Sequence, residues 1–335
     1  MSPGTNTRFF TKTAPCSIVS IWFLLPVFCF SGRAQQSPPK NPEVIGALVA
    51  DVAAPPKWKK LMPQDPLEGL RFSTYVIGSY PEHTVELFVY TPEHPGKYPA
   101  VLCIHGGGWS QRQIESDRPM MERLAKRGFV TALVSYRISG EAKYPAALND
   151  CKAAVRYLRA HAAGLHINPE RIGVMGGSAG GHLSGLTALT SGKSEFEGDG
   201  VERETDSSVQ ACIVMAASQD LVEANFLKTN PSALAFFGST CAQSPDLYRS
   251  ASPLTHIRKG VPPVLFIEGE KDSLKVGRKE AMDKLAEAGV ETGLRTLKFA
   301  PHPFWMSDPW CAETVEIAAA FFGKHLGGVQ PVIPD

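Results

Sequence analysis

The sequence predicts an α/β fold in which helices cover both faces of a mostly parallel, doubly wound sheet. After Pro95 and Gly96, short apolar runs typical of buried strands alternate with segments of helical periodicity. One of these strands, at 171–175, leads directly into a glycine-rich turn at 176–181 and then into a helix. The chain has 335 residues, 43% of them hydrophobic, and is therefore long enough to bury one large core.

Eight strands are predicted in chain order. The first two, at 71–78 and 84–90, are rich in β-forming residues and are separated by a short turn, so we expect them to pair antiparallel. The other six are apolar runs expected in the parallel part of the sheet, at 100–104, 129–134, 171–175, 209–215, 263–268 and 294–299.

Helical periodicity fills the intervals between most of these strands. The predicted helices lie at 118–127, from Pro145 to near Gly164, directly after Ser178, at 278–288 and at 313–326. Between 221 and 259 there is no clean strand pattern but a mixture of short helical segments and turns. We interpret this stretch as a small cap insertion over the ends of the strands.

The first 34 residues have the features of a secretory signal peptide. Arg8 and Lys12 precede an apolar run at 18–30, and small residues near Ala34 provide a cleavage site. The run has about 13 residues against the roughly 20 that span a bilayer, so no stable membrane span is expected. A proline-rich arm at 35–66 and a single α/β domain at 67–335 complete the predicted organisation, and the protein is expected to be secreted or periplasmic.

The charge and the spacing of possible metal ligands exclude some classes of function. Removal of residues 1–34 changes the formal net charge from +1 to −2, and no basic stripe remains that could bind nucleic acid. The sequence has neither the spacing of a zinc site nor an HExxH motif. We therefore expect no metal and no nucleic-acid partner, while the oligomeric state stays open.

Ser178 is the predicted nucleophile. It is the central residue of Gly176-Gly177-Ser178-Ala179-Gly180, which fits the G-x-S-x-G pattern of a serine on a tight strand-to-helix turn. Such a turn lifts the hydroxyl clear of the sheet and directs the first amides of the following helix toward a developing oxyanion. A glycine-rich turn that only packs or binds phosphate is the alternative for this motif taken alone.

A second glycine run supports the nucleophile assignment. His105-Gly106-Gly107-Gly108-Trp109 follows the buried strand at 100–104, where its backbone amides would face the serine. We assign Gly107, Gly108 and Ala179 as the oxyanion-hole donors, with the register inside the loop uncertain by one residue. His105 is interpreted as a structural residue that holds the loop.

His302 is the predicted general base. In this kind of sheet the triad residues follow the chain order serine, acid, histidine, and His302 lies in a loop directly after the strand predicted at 294–299. His256 precedes the strand that should carry the acid, and His325 lies within the last predicted helix. His302 alone of these three therefore has the required position.

Asp272 is the predicted acid of the triad. Glu268, Glu270 and Asp272 lie at or just after the end of the strand at 263–268. Glu268 still belongs to the strand, whereas the turn at 269–271 would carry Asp272 outward to meet the histidine loop. Its role would be to orient His302 and to stabilise the imidazolium. Asp220 is the second candidate, although an acid in its position more often caps the next helix.

These motifs together resemble the α/β-hydrolase serine carboxylesterases. HGGGW at 105–109, GGSAGG at 176–181, GEKD at 269–272 and the histidine loop are most similar to bacterial acetylxylan and feruloyl esterases and to the hormone-sensitive-lipase-like group. The resemblance covers about residues 71–326 and implies ester hydrolysis through an acyl-enzyme at Ser178, without a cofactor. One departure is Gly177, where a bulkier residue is frequent in the family.

The substrate implied by this resemblance is an acetyl or feruloyl ester on a polysaccharide. Trp109 and Trp305 are candidate substrate-binding residues in an aromatic rim, with a packing role as the alternative. Amide hydrolysis, as in the kynurenine formamidases with an HGGxW motif, and hydrolysis of small acyl esters by a lipase-like enzyme are alternative functions. A non-catalytic module is a third possibility, but such a module would be expected to have lost a triad residue.

Five cysteines remain after signal removal, so at least one thiol must be free. Cys241 and Cys311 are the two expected in loops, and in an exported protein they are candidates for a disulfide between the cap and the histidine loop. Two unrelated loop thiols are the alternative, since the sequence does not give the distance between them.

Overall fold

The computed structural model describes residues 55–64 and 67–327. The predicted signal peptide at 1–34 and most of the arm at 35–66 lie outside the described residues. The strands are β1 (Lys59–Lys60), β2 (Leu70–Ser79), β3 (Thr84–Pro92), β4 (Tyr98–Ile104), β5 (Val130–Val134), β6 (Ile167–Gly177), β7 (Ala211–Met215), β8 (Val264–Gly269), β9 (Thr292–Leu297) and β10 (Ser307–Asp308). The α-helices are α1 (Ile114–Lys126), α2 (Ala146–Ala160), α3 (Ala179–Leu189), α4 (Pro231–Phe237), α5 (Pro245–Ser250), α6 (Arg278–Glu287) and α7 (Trp310–Leu326).

The main sheet has eight strands in the order β2-β3-β5-β4-β6-β7-β8-β9. Pairing is antiparallel between β2 and β3 and between β3 and β5, and it is parallel from β5 to β9. The predicted fold class, a mostly parallel eight-stranded sheet, is confirmed. The strand after β4 in the chain, β5, lies on one side of β4 in the sheet, and the next strand, β6, lies on the other side. The carboxyl ends of β4 and β6 therefore border the crevice in which doubly wound sheets hold their ligands.

Alternate residues of each strand enter two separate hydrophobic cores. On β4, Leu102 and Ile104 contribute to the core covered by α2, α3 and α6, whereas Val101 and Cys103 contribute to the core covered by α1 and α7. This alternation follows from the two-residue period of a β-strand. Because both faces are covered, the parallel strands read as continuous apolar runs in the sequence, which is why they could be predicted.

Two helices begin earlier than predicted. Helix α1 begins at Ile114 rather than at 118, because the polar residues Glu115 and Ser116 conceal its first turn in the sequence. Helix α7 begins at Trp310 rather than at 313, which places Cys311 in its first turn. Within the described residues, no helix is both long enough and apolar enough to cross a membrane.

The predicted disulfide between Cys241 and Cys311 is wrong. Both cysteines are free thiols. Cys241 packs against the core covered by α2 and α3, whereas Cys311 is fully buried in the core covered by α1 and α7. The sheet lies between these two cores, so the thiols are on opposite sides of it and cannot come within bonding distance.

Two groups of short elements lie outside the main sheet, one in the predicted cap insertion and one beside the segment that follows His302. Residues 221–259 contain α4, α5 and two 3₁₀ turns, and no strand is found there. At the N-terminal side, β1 pairs antiparallel with β10, and the Leu61 N–H donates to the carbonyl of Met306 at 3.0 Å. The last part of the arm therefore lies along the segment that follows His302.

Candidate active site

Ser178 lies at the junction of β6 and α3 in a conformation that few side chains adopt. Its φ is 57° and its ψ is −122°, and its own N–H donates to the carbonyl of Met215 at 3.0 Å. A side chain at Gly176 or Gly180 would meet the carbonyl oxygen of Ile104 at the end of β4. The glycines therefore allow the turn to pack directly against the neighbouring strand, and the serine projects from the top of the sheet.

The structure brings Ser178, His302 and Asp272 together. The Ser178 hydroxyl donates to His302 Nε2 at 3.1 Å, and His302 Nδ1 donates to Asp272 Oδ2 at 2.7 Å. The three residues follow β6, β9 and β8 respectively, at one edge of the sheet. This geometry allows the histidine to take a proton from the serine while the carboxylate orients the ring.

Asp272 is held in its ionised form. Asp272 is 5% exposed, and burial alone would raise the pKa of its carboxyl group. The hydrogen bonds from His302 and from the amide of Leu274 (2.8 Å) outweigh this effect, so that the pKa lies below the ordinary value. A negative charge therefore faces the histidine at neutral pH.

The competing acids have other partners. Asp220 accepts hydrogen bonds from the amides of Val222 and Glu223 in the turn after β7. The next helical turn, Asn225–Lys228, has Ala224 as its N-cap, so Asp220 caps a turn and not the helix that the sequence predicts. Glu268 forms an ion pair with Arg278 and accepts a hydrogen bond from Thr296. Glu270 accepts a hydrogen bond from the amide of Phe299 at 2.8 Å.

The glycine loop after β4 lies against the nucleophile. A Cβ on Gly106 would lie 3.6 Å from the Cβ of Ser178. Gly106 N–H is already donated to Asp117 Oδ2 at 3.1 Å, so this amide is not available to an oxyanion. Among the described residues, the amides of Gly107, Gly108 and Ala179 have no hydrogen-bond acceptor. These are the three donors that the sequence assigned to the oxyanion hole.

His105 holds this loop from below. Its ring is fully buried, stacks on Tyr136 with centroids 4.1 Å apart, and donates from Nδ1 to the carbonyl of Gly106 at 2.7 Å. Burial lowers the pKa of His105 to about 4, so the ring is neutral at physiological pH. The structural interpretation of His105 agrees with these contacts.

The interpretation of Trp109 and Trp305 as substrate-binding residues does not agree with their burial. Trp109 is 7% exposed, stacks on Phe236 at 5.0 Å and donates to His182 at 3.2 Å. Trp305 is 1% exposed and donates to Asp117 Oδ1 at 3.0 Å. Both residues follow catalytic loops closely in sequence, but the chain has already returned to the core when it reaches them.

Asp117 is a residue of this region that the sequence analysis missed. It lies on α1 and is 2% exposed, directly behind the glycine loop. Its helical spacing places it on the apolar face with Met120, Met121 and Leu124, three, four and seven residues later. A carboxylate on the apolar face of a helix was the available signal.

Among the described residues, no cluster of His, Cys, Asp and Glu could hold a metal ion.

Comparison with known proteins places this geometry among esterases. Residues 87–282 match the protein family BD-FAE. Among curated proteins, the esterase LipQ of Mycobacterium tuberculosis is 29% identical over 249 residues, which cover 70% of this chain and 58% of LipQ. The chain spans about half the length of the first curated relatives that it matches.

Solved structures of similar fold lead to the same group. Thermogutta terrifontis esterase 2, phosphoramylated by tabun, is 25% identical and superposes with a TM-score of 0.64, covering 80% of this chain and 98% of that chain. A truncated carbohydrate esterase from gut microbiota has a TM-score of 0.65 at 24% identity, covering 78% of this chain and 99% of that chain. At this identity, the second likeness concerns the fold.

Proposed function

The chain belongs to the BD-FAE family, within the hormone-sensitive-lipase-like α/β-hydrolases, and we propose that it is a serine carboxylesterase. The observation that carries this proposal is the unbroken chain of hydrogen bonds from the Ser178 hydroxyl through His302 to Asp272. The open amides of Gly107, Gly108 and Ala179 on either side of Ser178 add the second requirement of acyl transfer, donors for an oxyanion.

In the proposed reaction, Ser178 Oγ attacks the ester carbonyl carbon while its proton passes to His302 Nε2. The negative charge on the carbonyl oxygen is held by the three open amides, and Asp272 stabilises the imidazolium. Collapse of the intermediate breaks the carbon–oxygen bond to the alcohol, which leaves with the proton from His302. Water then attacks the acyl-enzyme by the same steps and releases the carboxylic acid and free Ser178.

We propose acetyl esters of polysaccharides as substrates, ahead of feruloyl esters. Both classes follow from the resemblance to acetylxylan and feruloyl esterases. The two tryptophans that could have stacked on a feruloyl ring, Trp109 and Trp305, are buried and offer it no ring face, whereas an acetyl group needs none. The side chain of His302 is 33% exposed, so the site is open on the side where a long alcohol such as a sugar chain would leave.

Two other activities use the same machinery. A kynurenine-formamidase-like amide hydrolase would attack a formyl amide with the same triad, and a lipase-like esterase would accept longer acyl chains. A signal peptide favours the polysaccharide esterase over the formamidase, because kynurenine metabolism is intracellular. We also propose that the protein is secreted or periplasmic, and N-terminal sequencing of the exported protein tests this by locating a cleavage near Ala34.

The experiment that tests the function compares four substrates with purified protein: acetylated xylan, methyl ferulate, p-nitrophenyl esters of increasing chain length, and N-formyl-kynurenine. We expect release of acetate from xylan and the highest kcat/KM for the acetyl ester. Ser178→Ala should lose turnover on every substrate while keeping the wild-type melting temperature. Fastest cleavage of N-formyl-kynurenine would support the formamidase, and activity of Ser178→Ala within tenfold of wild type would reject the triad.

A further inference from the structure

A buried carboxylate lies beneath the triad and takes no part in the proposed reaction. Asp117 is 2% exposed, and each of its oxygens accepts one hydrogen bond: Oδ2 from the amide of Gly106 at 3.1 Å and Oδ1 from Trp305 Nε1 at 3.0 Å. In the described part of the chain, no Lys, Arg or His side chain forms an ion pair with it. Burying a carboxylate without a cation is costly, so its retention here requires a reason.

The two donors belong to two different catalytic loops. Gly106 is the residue immediately before the oxyanion donors Gly107 and Gly108. Trp305 lies three residues after His302, and its ring meets the histidine ring edge to face with centroids 5.3 Å apart. Asp117 therefore joins the loop that would hold the oxyanion to the loop that carries the base.

Trp305 also contacts the third loop. A side chain at Gly177, the residue before the nucleophile, would collide with the six-membered ring of Trp305. The indole thus occupies the space beside the elbow in which a bulkier residue at 177 would lie. Through this single ring, the position of Asp117 is coupled to Ser178 as well as to His302.

Among the buried titratable groups behind the glycine loop, Asp117 is the one that can change charge near neutral pH. Burial raises its pKa to about 7, against the opposing effect of the hydrogen bonds from Gly106 and Trp305. The other titratable groups that face it are Cys103 on β4, Tyr136 after β5 and Cys311 on α7. Burial raises the pKa of each of these, that of Cys311 to about 12, so all three stay neutral.

We propose that Asp117 is a positioning residue for ester hydrolysis, whose ionised carboxylate holds the oxyanion loop and the histidine loop at a fixed separation across Ser178. An ionised carboxylate accepts both N–H groups. A protonated one has a single strong acceptor, its carbonyl oxygen, while its hydroxyl oxygen is a weaker acceptor, so that the hold on one of the two loops is weakened. This inference rests on the proposed esterase function, and it adds a residue that touches neither the substrate nor the reacting atoms.

The test compares Asp117→Asn with the wild type through kcat and KM for p-nitrophenyl acetate between pH 5.5 and 8.5. Asn keeps one acceptor but presents an amide N–H₂ to the other donor. We expect the variant to have a kcat about tenfold lower at pH 8.5 with KM within about twofold. The ratio of wild-type to variant kcat should fall toward one at pH 5.5, because Asp117 of the wild type becomes protonated and, like Asn, then lacks a second strong acceptor.

Asp308→Asn is the matched control. Asp308 anchors the same histidine loop to α1 through Arg123, with oxygen-to-nitrogen distances of 2.6 and 2.7 Å, but it contacts neither Gly106 nor Trp305. We expect its kcat to stay within about twofold of wild type at every pH. Trp305→Phe removes the N–H donor together with the volume of one of the two rings, and it supplies the same pH-dependent readout if Asp117→Asn does not fold.

A ratio that stays constant across the pH range, or an equal effect of Asp308→Asn, would overturn the positioning role. Reaction of Ser178 with diisopropyl fluorophosphate separates this result from failure of the proposed function. A wild type that is labelled and active, with Asp117→Asn and Trp305→Phe indistinguishable from it, contradicts only the role of Asp117. A wild type that is neither labelled nor active overturns both proposals.

Discussion

At the scale of single residues, Ser178, the proposed nucleophile, has a strained backbone conformation. A residue with a side chain at φ 57° and ψ −122° costs of order 1–3 kcal/mol relative to an ordinary conformation. The hydrogen bonds of its N–H to Met215 and of the His182 N–H to its carbonyl, both 3.0 Å, help to hold it there. The nucleophile is therefore positioned at the expense of stability.

We predict that Ser178→Gly is more stable than Ser178→Ala, although both are inactive. Glycine adopts a positive φ without the Cβ penalty, whereas alanine retains it. The expected gain is about 1 kcal/mol in the free energy of unfolding, partly offset by the greater freedom of glycine in the unfolded chain. Urea denaturation of the two variants measures the difference, and a less stable glycine variant would contradict the strain.

The acid assignment is tested by two substitutions that look alike in the sequence. Asp272→Asn removes the charge beside His302 and favours the wrong tautomer, so kcat should fall by several orders of magnitude. Asp220→Asn keeps the side-chain oxygen that accepts from the amides of Val222 and Glu223, so kcat should change little and stability by less than about 1 kcal/mol. Kinetics on p-nitrophenyl acetate decide between them, and the reverse pattern would move the acid to Asp220.

Asp117 should make the folded state less stable as pH rises. Its pKa is about 7 in the folded protein, above the ordinary value of 3.8, so ionisation is easier in the unfolded chain. Its stabilising contribution is complete below about pH 4 and is lost as pH rises to about 7, by at most about 4 kcal/mol. Asn cannot ionise, so the melting temperature of Asp117→Asn relative to wild type should increase between pH 4 and pH 7.

Asp308 provides the opposite control for this trend. The hydrogen bond from Arg123 lowers the pKa of Asp308, so its contribution is present above the ordinary value and lost as pH falls. Asp308→Asn should therefore become less unfavourable, relative to wild type, toward acidic pH. The same sign of pH dependence in both variants would contradict these assignments.

At the scale of elements, helix α1 and the end of the arm hold the segment that follows His302. Arg123 of α1 binds Asp308, Glu122 accepts a hydrogen bond from the amide of Gln64 at 3.1 Å, and β1 extends β10. The histidine loop, unlike the elbow, is not enclosed by the main sheet. Of these flanking contacts, the backbone pairing of β1 with β10 restrains the loop directly, whereas the partly exposed ion pair of Arg123 and Asp308 contributes little.

We predict that Leu61→Pro weakens this attachment and that Met62→Pro does not. Proline at 61 removes the N–H that donates to Met306, at a cost of about 1 kcal/mol, and kcat should fall several-fold through loss of order in the histidine loop. Met62 is 67% exposed and lies outside the paired strand. Differential scanning fluorimetry and kcat are the measurements, and equal effects of the two prolines would show that this pairing does not matter.

At the scale of the whole molecule, the described cysteines contribute no covalent bond. All five are free thiols, and four of them are buried. We therefore predict that dithiothreitol changes neither the melting temperature nor the activity of the protein. A decrease in melting temperature on reduction would show a disulfide and contradict the structure.

The sequence was sufficient to predict the sheet and the three triad residues, but it did not predict the buried contacts of Trp305, Asp117 and Cys311 behind them. Ser178, Asp272 and His302 could be placed because each follows a strand at the same edge of the sheet. Asp220 and Asp272 both fit the chain order, and Asp272 is favoured because the turn at 269–271 carries it outward to the histidine loop. The burial of Trp305 and the position of Cys311 depend on where α7 begins. Neither a helix start nor a contact between loops that are distant in sequence has a local pattern, so both escaped prediction.

The crowding around the elbow has an evolutionary consequence. A side chain at Gly176 or Gly180 would meet a backbone carbonyl, and no second mutation can remove a carbonyl, so these two positions are closed to change along any line of descent. The obstacle at Gly177 is the indole of Trp305, which a second mutation can replace. Substitution at 177 therefore becomes permissible only after, or together with, loss of the tryptophan. The two positions are epistatic partners 128 residues apart, and the path by which this enzyme can diversify beside its nucleophile passes through Trp305.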